Sequence, residues 1–376
     1  MDKFEAGYPP SAAMARSVLR GLASCCALAV GGTALALDEQ ALIQTVSRRA
    51  PAAPEDKLPR SALLTVCFVS KASPGRHSVD QLTNGCVLNV ASFKLAAPQS
   101  DVILIAPTEE NAADKIKNLS KKDSSIKISY VGTGPWEVGG QSIPFQNDEG
   151  KFYGNGLKLL WYTQTLKKFQ GQYDYIFIAD GADLYFQRNP FELAVEYPGA
   201  DLVFFGDRGD NPSKGKQFFD RMMPRCESSK RNEPSLMDDV DETFMREVDG
   251  RQFSIYANSG LILGKADAML SLTSQVAEIA AECKFWISDQ SFVNLVRYYM
   301  IKERGEDKVL MFPDMEKTAS LGHYSWYYWT EDGWLATKDG TKERLYVVHQ
   351  YDRAPQAKLL TELVWNKTAD WLRQRE

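Results

Sequence analysis

Short runs of apolar, β-branched and aromatic residues recur from residue 61 onward, at 62–69, 101–105, 126–131, 175–179, 201–205, 261–263, 309–312 and 345–348. Near-continuous apolar runs of this length suit strands covered on both faces. Between several of them, apolar residues repeat at steps of three and four: Leu82, Cys86, Val90 and Phe93; Leu157, Leu160 and Trp161 ahead of Phe169; Met269, Leu272, Val276, Ile279 and Cys283. These stripes predict helices turned toward a core. Gly264 is read as the opening of the third. The alternation predicts an α/β fold, a mixed but largely parallel sheet flanked by helices, in one large domain over residues 61–376. In such sheets ligands bind beyond the carboxyl ends of the strands. The residues just after each run are therefore where chemistry is sought.

Ahead of that domain the pattern changes twice. Residues 21–37 carry no charge and are flanked by Arg20 and Asp38, with Arg16 upstream and Ala34-Leu35-Ala36 as a small-x-small site. Residues 1–37 are read as a cleaved signal peptide or an uncleaved signal anchor, a single membrane anchor at the N-terminus. Residues 38–60 are rich in Ala, Pro and Arg and read as a stem or linker. Either reading of the leader places the domain in the secretory lumen, endoplasmic reticulum or Golgi, anchored or secreted. Sequons at Asn118 and Asn366 fit that placement. So does an even set of cysteines beyond the leader (Cys67, Cys86, Cys226 and Cys283), whose pairing the spacing leaves open.

At 44% hydrophobic and 25% charged residues the chain is globular, not disordered, collagen-like or multi-span. Its net charge of -5, with no basic stripe, argues against a nucleic-acid partner.

Four segments concentrate chemistry. In Ile178-Ala179-Asp180-Gly181-Ala182-Asp183 an apolar run ends at one carboxylate and a second follows three residues later. Two carboxylates at a strand end can share a hard divalent cation, which neutralises a diphosphate leaving group; the plain alternative is a solvated acidic turn. Asn258-Ser259-Gly260 places small polar residues ahead of an apolar run, or simply forms a loop. Ser288-Asp289-Gln290 is either a helix cap or an acid facing a cleft. Val347-Val348-His349 sets one of the three histidines after an apolar run, as a metal ligand or as a structural residue.

Together and in this order, these segments resemble nucleotide-sugar glycosyltransferases of the GT-A fold, and most of all the glycosyltransferase domain of procollagen lysyl hydroxylases and related collagen glycosyltransferases. The resemblance spans residues 63–352 at low identity. It implies manganese or another divalent cation on Asp180, Asp183 and His349, and a UDP-sugar donor. Val69 and Ser70 would then line the uracil and ribose, and Gly156, Lys158, Asp180, Asn258 and Gly260 would complete the donor site. The alternative for Lys158 is a solvated helix lysine. The family's acidic segment matches only as Asp289-Gln290, since Ser288 stands for the preceding acid. The run from His349 to Arg353 lacks the family's glycine, so a collagen acceptor is not implied. The function expected is transfer of a hexose from the UDP-sugar to an acceptor hydroxyl on a glycan or protein. If the reaction inverts, Asp289 is the first candidate for the base and Asp207 the second; a retaining reaction needs neither. A sugar nucleotidyltransferase and a non-catalytic secretory binding protein of the same fold stand as alternatives. Residues 324–329, rich in Tyr and Trp, are either an acceptor platform or a packed loop.

Overall fold

In a computed structural model of the chain, seven of the eight apolar runs become the strands of one seven-stranded sheet, and the run at 345–348 falls in a smaller one. The structure describes residues 59–67, 78–145, 156–206, 245–248, 251–254, 256–282, 289–321, 328–330, 332–337, 341–353 and 357–375. The leader, nearly all of the stem, Val69, Ser70, Asp207, Cys226 and residues 283–288 and 324–327 lie outside the described residues. Among the described residues no helix is long and apolar enough to cross a membrane.

The elements that position the site are β1 (Ser61–Val66), α1 (Val79–Ala96), β2 (Asp101–Ala106), α2 (Asp114–Lys122), β3 (Ile126–Tyr130), α3 (Gly156–Lys168), β4 (Tyr175–Ala179), β5 (Leu184–Phe186), β6 (Leu202–Gly206), β7 (Ala257–Lys265), α4 (Ala266–Glu282), α5 (Asp289–Arg304), β8 (Val309–Phe312), β9 (Thr318–Ser320), β10 (Val347–His349) and α6 (Ala357–Arg373). The main sheet runs β8-β6-β7-β4-β1-β2-β3. Only β7 is antiparallel to its neighbours. A mixed, largely parallel sheet flanked by helices in one domain is therefore what the chain forms.

The helical stripes do face the core. Val90 and Phe93 of α1, Leu157, Leu160 and Trp161 of α3, and Met269, Leu272, Val276 and Ile279 of α4 are all buried. Two clusters flank the main sheet, one on each face, beside a third around Tyr185 and Val348. One is built on α3, α4 and α5, the other on α1, α2 and the C-terminal end of α6. Burial on both faces is why the strands read as continuous apolar runs rather than as alternating ones.

In the main sheet, three boundaries differ from the sequence expectation by more than one residue. The first strand ends at Val66, not at residue 69. The run expected at 261–263 is a nine-residue strand, so Asn258, Ser259 and Gly260 sit within β7 and not in a loop before it. Gly264 does not open a helix: it pairs with Ile176 and Leu202, and a Cβ there would lie 2.8 Å from the Asp201 carbonyl oxygen. The glycine lets two backbones meet, and α4 begins two residues later.

A small second sheet, β9-β10-β5, sits beside the carboxyl end of β4. Its register pairs His349 with Leu184 and with Ser320. The strand expected at 345–348 is shifted to Val347–His349, so His349 ends a strand rather than following one. The chain that leaves β4 through the 180–183 turn becomes β5, and β5 carries His349 to that turn.

Candidate metal centre

The turn after β4 is held from every side. Asp180 N–H donates to the Gly260 carbonyl of β7 at 2.9 Å. Tyr162 Oη of α3 donates to the Ala179 carbonyl at 3.2 Å. Asn89 of α1 places Nδ2 3.1 Å from the carbonyl oxygens of both Asp180 and Gly181. Gly181 has no room for a side chain, because a Cβ would overlap the Val66 carbonyl at the end of β1. Gly260 has none either, since a Cβ would overlap the Asp180 carboxylate. The alternative of a solvated acidic turn is set aside by this packing.

Asp180, Asp183 and His349 converge, each offering one ligand atom, with those atoms all within 4.8 Å of one another. His349 Nε2 lies 3.4 Å from Asp180 Oδ2 and 3.4 Å from Asp183 Oδ1. The imidazole is buried, its side chain 2% exposed, while the Asp180 side chain is 28% exposed. The cluster is thus closed behind the ring and partly open to solvent at the acids. Asn258 Nδ2 lies 3.0 Å from His349 Nδ1, and Asn258 Oδ1 accepts the Gly260 N–H at 2.7 Å. The amide therefore fixes both the ring and the backbone that abuts Asp180, the supporting role that partners of metal-ligating histidines commonly take.

Two oxygen donors and one imidazole nitrogen suit a divalent cation such as manganese or zinc. One observation tests the fit directly. His349 Nε2 is buried, points at the two carboxylates, and makes no well-formed hydrogen bond to either. Buried polar atoms are rarely left so, and a cation between ring and acids would satisfy it.

Charge is organised around the same atoms. Lys158 Nζ lies 2.6 Å from Asp180 Oδ1 and 2.6 Å from Asp289 Oδ2. Lys158 is buried, which removes the solvated-lysine alternative. Burial lowers its pKa, but the charges of Asp180 and then Asp289 outweigh that and hold it well above its ordinary value. Burial likewise raises Asp180, yet Lys158 and His349 reverse this and keep its carboxyl far below the usual range. Burial disfavours a charged His349; Asp183 and Asp180 overcome it and push the ring up to about 10. Carboxylates that attract a proton to this spot attract a metal cation there too.

Asp289 opens α5 and is buried. Its Oδ2 accepts from Lys158 and from Ser259 Oγ at 2.7 Å, and its Oδ1 from the Gln290 N–H at 2.9 Å. Sequence reasoning placed Lys158, Asp289, Asn258 and Gly260 near the acids, and all four are there. Gly156 is the first residue of α3, two residues from Lys158. Val69, Ser70 and Asp207 lie outside the described residues. Asn89 and Tyr162 were missed. Tyr162 lies four residues beyond Lys158, on the same helical face, a spacing that could have revealed it.

No protein-family model matches the chain, and no curated protein matches it either.

Proposed function

We propose that the protein is a metal-dependent glycosyltransferase that moves a hexose from a UDP-sugar to an acceptor hydroxyl in the secretory lumen. The observation that carries this reading is the convergence of Asp180, Asp183 and the buried Nε2 of His349 at the carboxyl end of a largely parallel sheet. The bound cation would supply Lewis acidity, neutralising the diphosphate as the glycosidic bond breaks. Asp180, Asp183 and His349 would hold it. Lys158, already between two acids, offers a second positive charge to a donor phosphate as a point charge. Ser259 and Lys158 orient Asp289, which is the candidate to take the acceptor proton if the reaction inverts. The Cys67–Cys86 disulfide supports a lumenal setting, because such bonds persist in oxidising compartments.

The test is a panel of UDP-sugars incubated with the purified chain and Mn2+, with UDP release as the readout. Release from one donor class, abolished by chelation and restored by Mn2+, is expected. Absence of release from every donor, in a chain that does bind Mn2+, would set the transferase reading aside and leave a binding protein of the same fold.

A further inference from the structure

One face of α1 is turned to the 180–183 segment. Gly85, Cys86, Asn89, Ser92 and Phe93 repeat at the steps of a single helical face. Gly85 lies so near Ala182 that a Cβ would overlap the Ala182 carbonyl. Asn89 is fully buried, and its one amide nitrogen serves the carbonyls of both Asp180 and Gly181. Ser92 Oγ accepts the Phe186 N–H at 3.0 Å, and the Phe93 ring packs on Phe186, centroids 4.9 Å apart. This face thus fixes both the turn that carries the two acids and the strand that pairs with His349. None of its residues is itself a candidate ligand.

A covalent bond holds α1 in that place. Cys86 is disulfide-bonded to Cys67, the residue after β1. Cys67 is tied to the sheet through its N–H, which donates to the Ile105 carbonyl at 3.2 Å. Both sulfurs border the turn. Cys67 Sγ lies 3.9 Å from the Gly181 carbonyl oxygen, and a Cβ on Gly181 would stand 3.4 Å from Cys86 Sγ. The bond therefore joins sheet and helix at the point where Gly181 passes between them.

We propose that Asn89 is a positioning residue for the cation site, acting through the Asp180 and Gly181 carbonyls, and that the Cys67–Cys86 disulfide holds it there, so that reducing this disulfide weakens divalent-cation binding. The proposal rests on reading Asp180, Asp183 and His349 as a cation site. In the redox step a dithiol reagent gives two electrons and two protons. The sulfur–sulfur bond breaks, Cys67 and Cys86 become thiols, and the reagent closes to its own disulfide.

The test uses the full chain with two readouts: Mn2+ binding by calorimetry, and hydrogen exchange at the Asp180 amide without metal. The proteins compared are the oxidised chain, the chain reduced by dithiothreitol, Cys67→Ser/Cys86→Ser, Asn89→Leu and, as a control, Ile116→Ala. Ile116 is buried on α2, in the same core cluster as Cys86 and Phe93 but with no part in the hydrogen bonds or the disulfide at the turn, so its truncation lowers stability without removing one of them. Reduction, the double serine variant and Asn89→Leu are each expected to weaken Mn2+ binding about tenfold or more, the usual scale for partners that orient metal ligands. Each is also expected to speed exchange at Asp180. Ile116→Ala should melt lower with both readouts unchanged. Unaltered exchange after reduction or in Asn89→Leu would overturn the brace, and equal weakening in Ile116→Ala would reduce it to general stability. Absence of Mn2+ binding to the oxidised chain would instead defeat the cation reading and the redox consequence drawn from it.

Discussion

The geometry at the acids depends as much on what is missing from neighbouring residues as on the acids themselves. Gly260 has no side chain, and the Asp180 carboxylate fills the space one would take. Gly260→Ala is therefore expected to push Asp180 off Lys158 and His349. Calorimetry with Mn2+ should show affinity falling by about tenfold or more, on the scale of a disturbed supporting shell; unchanged affinity would mean that the carboxylate can move aside freely. The candidate ligands were legible in the sequence, because an apolar run ends at Asp180, Asp183 stands three residues on, and another apolar run leads into His349. The fixed surroundings were not. Asn89 lies within a stripe of apolar residues on α1 and looks like an ordinary helix residue until the helix docks on the turn. Resemblance alone set Lys158 at a donor phosphate; its burial between Asp180 and Asp289, far along the chain, shows only in the fold.

Among the elements, the small β9-β10-β5 sheet is the least visible in sequence and the most consequential. Its strands are three residues long; β5 and β9 are too short for periodicity to mark them, and only β10 answers to a run in the sequence. The seven-stranded sheet, by contrast, was legible nearly strand by strand, because burial on both faces leaves unbroken apolar runs. The one misjudged central strand was β7, where polar side chains sit in a buried strand because Asn258 pairs with His349 and Ser259 with Asp289. Phe186, the end of β5, packs edge-on against Phe93 and Phe177, with centroids 4.9 and 5.6 Å apart. Phe186→Ala is expected to cost about 3–5 kcal/mol of stability by leaving a cavity. Denaturant unfolding would measure it, and a cost under about 1 kcal/mol, the range of well-tolerated core swaps, would mean that β5 is not anchored by this ring.

At the scale of the whole molecule, the two core clusters meet across the sheet and the candidate site opens where its parallel strands end. Unlike charges offset one another at the centre: Lys158 lies between Asp180 and Asp289, and His349 between Asp180 and Asp183. A cation bound only by the folded state adds to its stability by mass action, about 2.7 kcal/mol at a hundredfold excess over the dissociation constant. Mn2+ is therefore expected to raise the thermal midpoint of the wild-type chain and a chelator to return it; a midpoint indifferent to both would speak against a bound cation.

The most direct measurement is a titration of the full chain with Mn2+, read by electron paramagnetic resonance, beside the Asp183→Ala variant at equal concentration. One site per wild-type chain is expected, with affinity in the variant reduced about tenfold or more for want of a ligand. Equal binding by the two proteins, or none by the wild type, would contradict a shared cation on Asp180, Asp183 and His349.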